Sequence, residues 1–162
     1  MNATETKVKI ADTEIDENTH CVLFVCTGNT CRSPMAEAVY NFYAEKYGLN
    51  TRSFSAGVAA NGSRMSAHAR TALYEAGFIG EDYDRTSVQI NEEMCERADA
   101  IIGMTEAHAM HLIMTFPSYA TKIRALSHDI SDPFGGYLET YKECLGEIAL
   151  AVKEEFFYGY GE

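Results

Sequence analysis

The sequence lacks the features that mark three classes of protein. Its 13 lysines and arginines are outnumbered by 24 aspartates and glutamates, and the resulting net charge of −11 repels nucleic acid. No apolar run approaches the ~18 residues of a membrane-spanning helix, and the first 19 residues are too polar for a signal peptide. The five cysteines are an odd number without a CxxC pair, which argues against a disulfide framework and against a zinc site.

The length and composition indicate one compact domain, and we expect the protein in the cytoplasm. A chain of 162 residues can bury a full core without metal or disulfides, and it leaves little room for a second domain. Residues 1–19 are polar and rich in threonine and acidic side chains, so we predict a flexible leader followed by a single domain over residues 20–162. We expect no metal, no cofactor, no membrane contact and no nucleic acid partner.

Apolar runs and helical spacings alternate along this domain. Residues 21–25 form an apolar run that predicts a strand, and Pro34 suits the first turn of the helix that follows. Further strands are predicted at 51–55, 100–104 and 122–126, and a short helix at 91–97. Helix faces are predicted for four sets of residues: Met35, Ala38, Val39 and Phe42; Ala69, Leu73 and Ala76; Ala107, Met110 and Met114; Leu138, Tyr141, Leu145, Ile148 and Val152.

This alternation predicts an α/β fold in three layers, with a parallel sheet between two layers of helices. Ligands of such sheets bind beyond the carboxyl ends of the strands. We therefore expect four segments to meet at one edge: the segment after Val25, residues 56–57, residues 104–105 and the loop that holds Asp132.

Residues 26–34 read CTGNTCRSP and place a cysteine six residues before an arginine, between a predicted strand and a predicted helix. Such a loop directs backbone N–H groups at an oxyanion, and the helix dipole adds positive potential there. Arg32 supplies a planar fork for two phosphate oxygens, and the positive potential favours the nucleophilic thiolate of Cys26. Gly28 allows a tight turn or a positive φ, and the Ser33 hydroxyl can donate to the thiolate.

Residues 25–37, which read VCTGNTCRSPMAE, closely resemble the signature of the low-molecular-weight protein tyrosine phosphatase family. Four further motifs follow in the family's order: SAG at 55–57, ADAII at 98–102, MT at 104–105 and DPFGG at 132–136. The resemblance extends from residue 21 to about residue 156. It implies a flavodoxin-like fold with a four-stranded parallel sheet in the order 2-1-3-4. It also implies hydrolysis of phosphorylated proteins through a phosphocysteine, without a metal.

By this resemblance, Cys26 is the nucleophile, Arg32 clamps the transferring phosphoryl group, and Asp132 is the general acid. Asp132 protonates the leaving atom and then accepts a proton from the attacking water. The phosphate-binding loop comprises Thr27, Gly28, Asn29, Thr30, Cys31 and Arg32. The polar residues that support this loop in the family correspond to Asn29, Ser33 and Ser55.

Two positions bear on the substrate. Thr30 and the DPFGG turn look most like the bacterial protein arginine phosphatases, whereas tyrosine-directed members usually carry Ile or Leu at the position of Thr30. A hydroxyl there suits a polar guanidinium better than a phenyl ring. Phe134 is followed by two glycines, so one wall of a slot for a phenyl ring is missing. We favour phosphoarginine as the substrate, with phosphotyrosine as the alternative.

The chain departs from the family at one supporting position. Many members carry a histidine near the end of the second helix, where Ala76 stands here, and His68 is a candidate replacement. Cys31 is, by resemblance, a second thiol that can pair with Cys26 in a protective disulfide. A simple packing role for Cys31 is equally compatible with the sequence.

Two other functions remain open. Arsenate reductases share this fold and a similar loop, but they need two further cysteines near and shortly after the third strand. Met104 and Thr105 occupy that region, and the next cysteine is Cys144. A silent phosphoprotein-binding module is the other alternative, and loss of the nucleophile, the clamp or the acid would favour it; the sequence retains all three.

Overall fold

The computed structural model describes residues 8–10 and 13–161. Its strands are β1 (Val8–Ile10), β2 (Thr13–Ile15), β3 (His20–Cys26), β4 (Thr51–Gly57), β5 (Ala100–Gly103) and β6 (Ile123–Ala125). Its α-helices are α1 (Arg32–Lys46), α2 (Ala67–Glu75), α3 (Glu92–Arg97), α4 (Glu106–Thr115) and α5 (Leu138–Phe156), with a 3-10 helix at Pro117–Lys122. Over the described residues, no helix combines the length and the apolar character needed to cross a bilayer.

Strands β3 to β6 form one parallel sheet in the order β4-β3-β5-β6. Counted along the chain, this is the order 2-1-3-4, so the predicted topology is confirmed. Val25 pairs with Ala56 on one side and with Gly103 on the other, and Cys26 pairs with Gly57. The carboxyl ends of three neighbouring strands are therefore level, and Cys26 lies in the middle of that edge.

Every residue of β3 after His20 is buried because the strand is covered on both faces. One set of its side chains packs toward α1, α2 and α5: Val22, Phe24 and Cys26. The alternate set packs toward α3 and α4: Cys21, Leu23 and Val25. This alternation produces the three layers that the sequence predicted.

Helix α4 is rotated relative to its predicted face. Met110 and Met114 are 56% and 79% exposed, and Ala107 is also exposed, so the prediction that these residues face the core is wrong. The buried face carries His108 and Leu112 instead. Hydrogen bonding explains the difference, because the buried imidazole has polar partners that a periodicity of apolar residues does not show.

Helix α2 ends earlier than its predicted face requires. Ala69 and Leu73 are buried as expected, but Ala76 is the exposed residue that ends the helix. Gly77 follows with a φ of +85°, a conformation that terminates a helix.

The described residues before the sheet pack against the domain. Strands β1 and β2 pair in antiparallel fashion, and Ile15 is buried in the layer between the sheet and α4. The Arg97 guanidinium donates a hydrogen bond of 2.8 Å to the carbonyl of Thr19. Residues 1–7, 11 and 12 of the predicted leader lie outside the described residues, and the boundary at residue 20 stays a prediction.

Candidate active site

The loop between β3 and α1 surrounds the mouth of a pocket of about 210 Å³. The pocket is lined by nine residues that the sequence singled out: Cys26, Thr27, Gly28, Asn29, Thr30, Cys31, Arg32, Asp132 and Phe134. Ser33 and Ser55, which are fully buried, lie behind the loop rather than in the pocket. No side chain caps the N-terminus of α1, so the N–H groups of Arg32 and Ser33 are available to an oxyanion.

The thiol of Cys26 has a hydroxyl partner. Its Sγ lies 2.9 Å from Ser33 Oγ, and Asn29 Nδ2 donates to the same Ser33 oxygen at 2.8 Å. Because Ser33 Oγ accepts from Asn29, its own proton can point at Cys26, which is nearer than its other acceptor, the Ala56 carbonyl at 3.5 Å. The arrangement suits a sulfur that carries negative charge.

Asn29 has an uncommon backbone conformation that four hydrogen bonds of its side chain hold in place. It has a φ of +58°, whereas Gly28 is not among the residues of positive φ, so the left-handed residue is Asn29 rather than Gly28. Its Oδ1 accepts from Arg85 Nη2 at 2.7 Å and from the Val88 N–H at 2.9 Å. Its Nδ2 also donates to Ser55 Oγ at 3.0 Å. Four hydrogen bonds thus hold a backbone conformation that non-glycine residues rarely adopt.

Behind Asn29 lies a buried ion pair that the sequence did not predict. Arg85 and Glu37 are 7% and 5% exposed, and Arg85 Nη1 contacts the Glu37 carboxylate. Arg85 Nη1 also donates to Ser55 Oγ at 2.6 Å, and Ser55 donates to Glu37 at 2.8 Å. Burial raises the pKa of Glu37, and the Arg85 guanidinium opposes that rise.

Arg85 supports the loop where the family pattern suggested a histidine. The candidate replacement, His68, is not there, because its ring packs 5.3 Å from the Tyr141 ring. Ala76, which stands at the family's histidine position, is an exposed helix end. Glu37 could have been found in the sequence, because it lies one helical turn after Ser33. Arg85 could not, because it belongs to an irregular segment without periodicity.

Arg32 and Asp132 meet on the opposite wall of the pocket. Arg32 Nη1 donates to the Ile130 carbonyl at 3.0 Å, and Nη2 lies 3.6 Å from Asp132 Oδ2. The other Asp132 oxygen accepts from the Phe134 N–H at 3.1 Å, which holds the turn. The Arg32 side chain is 8% exposed and that of Asp132 is 53% exposed. The guanidinium is therefore fixed in the wall, while the carboxylate is open to an incoming group.

A model of the low molecular weight phosphotyrosine protein phosphatase family matches residues 21–156. The chain belongs to this family. It is similar to a protein-arginine-phosphatase of Bacillus subtilis (strain 168), with 40% identity over 141 residues that cover 82% of this chain and 92% of the relative. These similarities identify a phosphoprotein phosphatase.

Two further relatives show the range of the family. A crystal structure of a low molecular weight protein tyrosine phosphatase from T. tengcongensis has 34% identity and a TM-score of 0.79, and it covers 84% of this chain and 97% of its own. An arsenate reductase of Brevibacillus brevis has 32% identity over 139 residues, 85% of this chain and 95% of the relative.

In this phosphatase, glycine at position 57 allows β4 to pass directly beneath the loop. A Cβ at Gly57 would lie 2.5 Å from the Thr27 carbonyl oxygen and 3.0 Å from the Asn29 nitrogen. No side chain fits at those distances. The glycine of the SAG motif is therefore needed for the shape of the loop.

The second thiol of the loop, that of Cys31, is buried beside two hydroxyl groups. Cys31 Sγ is 3.7 Å from Tyr141 Oη and 3.7 Å from Thr30 Oγ1. Burial raises the pKa of the Cys31 thiol, and the hydrogen bonds with Tyr141 and Thr30 oppose that rise. All five cysteines of the chain are free, so no disulfide joins Cys31 to Cys26 here.

Proposed function

We propose that this phosphatase hydrolyses phosphoarginine on proteins through a phosphocysteine formed at Cys26. One observation carries the proposal: Cys26, Arg32 and Asp132 line the same small pocket. The side chains are a nucleophile with a hydroxyl partner, a fixed guanidinium and an accessible carboxylate. These are the three groups that transfer of a phosphoryl group through sulfur requires.

In the first step, the Cys26 thiolate attacks phosphorus while the bond from phosphorus to the arginine nitrogen breaks. The leaving nitrogen takes the proton of the Asp132 carboxyl group. Arg32 and the N–H groups of the loop bind the three phosphoryl oxygens, on which charge accumulates. The products of this step are unmodified arginine and a phosphocysteine.

In the second step, water attacks the phosphorus of the phosphocysteine. Asp132, now ionised, accepts a proton from that water, and the sulfur–phosphorus bond breaks. Phosphate leaves, and Cys26 returns as a thiolate to which Ser33 can donate. One carboxylate thus serves as acid and then as base.

The phosphoarginine preference rests on Thr30 and on the turn after Asp132. Thr30 lines the pocket and is polar, where a branched apolar side chain would favour a phenyl ring. The similarity to a protein-arginine-phosphatase supports the same assignment.

Phosphotyrosine is the second candidate, and one observation favours it. Phe134 lines the pocket and is 76% exposed, so it offers an aromatic surface to a phenyl ring. The mechanism at Cys26 would be the same.

Arsenate reduction is a less well supported function than phosphatase activity, although an arsenate reductase is among the similar proteins. Cys21 and Cys95 are buried in the layer on the α3 and α4 side of the sheet. Burial raises the pKa of the Cys144 thiol to about 12, so it is a poor attacking group at neutral pH.

We also infer that the enzyme acts in the cytoplasm on phosphorylated proteins. An odd number of cysteines without a CxxC pair fits a compartment that keeps thiols reduced.

The test compares initial rates on phosphoarginine and phosphotyrosine peptides of one sequence. We expect the wild type to prefer phosphoarginine, and Thr30→Ile to shift the preference toward phosphotyrosine. Thr121→Ile makes the same chemical change at an exposed position and should leave the preference unchanged. Cys26→Ser should abolish both activities, whereas Cys95→Ser, outside the pocket, should not.

A wild-type preference for phosphotyrosine would contradict the substrate assignment and leave the phosphocysteine mechanism intact. Activity that survives Cys26→Ser would contradict the mechanism.

A further inference from the structure

His108 connects the phosphate-binding loop to helix α4 through both ring nitrogens. Nε2 lies 2.9 Å from Thr27 Oγ1, and Nδ1 lies 2.9 Å from Thr105 Oγ1. The residue is 8% exposed. Thr27 directly follows Cys26 and lines the pocket. A ring bonded at both nitrogens has a fixed orientation, and it fixes the threonine hydroxyl in turn.

The backbone is shaped to bring His108 to the loop. A Cβ at Gly103 would lie 2.7 Å from the Ala109 nitrogen and 3.1 Å from the His108 Cβ, so only glycine lets α4 approach the end of β5 this closely. Thr105 caps the helix by accepting from the His108 N–H at 3.2 Å. Cap and glycine together direct the imidazole toward Thr27.

The ring is neutral at neutral pH. Burial lowers the pKa of His108 to about 4, and the charge of Arg32 acts in the same direction. Asp132 and Asp129 oppose this effect, and His111 adds to it weakly. A neutral imidazole has one N–H and one lone pair, so it donates to one threonine hydroxyl and accepts from the other. It therefore orients Thr27 without adding a charge that would compete with Arg32 for phosphate.

The main chain of Thr27 is also held in place, by contacts of its carbonyl oxygen. Its carbonyl oxygen accepts from the Ala59 N–H at 2.9 Å, and the end of β4 at Gly57 packs against it. With the carbonyl fixed by one element and the hydroxyl by another, the peptide groups on either side of Thr27 keep one orientation.

We propose that His108 is a positioning residue of the phosphatase reaction, which holds Thr27 so that the N–H groups of the loop face the phosphoryl oxygens. The inference rests on the proposed function of that loop. His108 acts through Thr27 and has no direct contact with the reacting atoms.

Two substitutions separate the two bonds of the ring. His108→Gln keeps a polar atom near the position of Nε2, facing Thr27, whereas His108→Asn keeps one near the position of Nδ1, facing Thr105. We expect His108→Asn to weaken tungstate binding and to lower kcat/KM for para-nitrophenyl phosphate by about tenfold, the effect of one buried hydrogen bond. His108→Gln should keep both quantities within about threefold of the wild type.

A double-mutant comparison tests whether His108 acts through Thr27. Thr27→Val should lose as much tungstate affinity and kcat/KM as His108→Asn, and the variant with both changes should lose no more than either single variant.

Calorimetry with tungstate measures oxyanion binding without turnover, and thermal melts establish that each variant is folded. Equal tungstate affinity in wild type and His108→Asn would overturn the inference, as would losses that multiply in the double variant. Turnover that persists in Cys26→Ser contradicts the proposed function instead, and the tungstate affinities still decide the role of His108.

Discussion

At the scale of single residues, the loop that carries Cys26 depends on a buried charge outside the pocket. Arg85 donates to the side chains of Asn29 and Ser55, and Glu37 neutralises it. The positive φ of Asn29 persists because these bonds hold it. Loss of the guanidinium would leave a carboxylate buried without its partner, which costs more than loss of both charges together.

We therefore expect Arg85→Met to lower the free energy of unfolding by about 3–5 kcal/mol. Adding Glu37→Gln should recover part of that loss, because the unpaired charge is removed. Arg64→Met is the control: Arg64 pairs with Asp84 at 2.9 Å, but its side chain is 79% exposed. That variant should lose less than about 1 kcal/mol. Urea denaturation measures all four proteins, and equal losses for the two arginine variants would contradict the role of the buried pair.

At the scale of elements, helix α4 links the loop that carries Cys26 to the loop that carries Asp132. His108 bonds to Thr27, and the Glu106 N–H donates to Asp129 Oδ1 at 2.8 Å. Asp129 lies three residues before Asp132 in the chain. The first turn of α4 thus contacts both sides of the active site.

The neutral histidine of α4 predicts a pH dependence of stability. Its folded pKa of about 4 lies below the ordinary value of 6.5, so the unfolded chain takes up the proton more readily. Its contribution to stability is present above about pH 6.5 and is lost as the pH falls toward 4. We expect the free energy of unfolding to drop more steeply between about pH 7 and pH 5 in wild type than in His108→Asn. Parallel slopes in urea denaturation would show that His108 does not titrate on unfolding.

The prediction of the elements succeeded where apolar residues alone decide the structure. The buried strand β3 and the stripe of α5 follow from runs and spacings, because both are covered by apolar neighbours. The predicted face of α4 is wrong because His108 is buried through hydrogen bonds to Thr27 of a distant segment and to Thr105, the cap of α4 itself. The spacing of Met110 and Met114 is typical of a buried helix face, and the sequence does not show that hydrogen bonds bury the face of His108 instead.

At the scale of the whole molecule, the candidate active site follows from a sheet whose strand ends are level. The sequence placed Cys26, Gly57, Thr105 and Asp132 at one edge because parallel strands bring their carboxyl ends together. The role of Arg85 could not be predicted. Arg85 belongs to a segment without regular structure, and it donates a hydrogen bond to Asn29, which lies 56 positions earlier in the chain. Its position is set by tertiary packing, which no local pattern in the chain encodes.

The central claim is that the phosphoryl group passes through the sulfur of Cys26. The most direct test mixes Asp132→Asn with an aryl phosphate, whose leaving group needs no acid, so that the first step proceeds and the second is slow. After acid quenching, mass spectrometry of the digested protein should find one phosphoryl group on the peptide that contains Cys26, and none in Cys26→Ala. A phosphoryl group on any other residue, or turnover without a phosphorylated enzyme, would contradict the account.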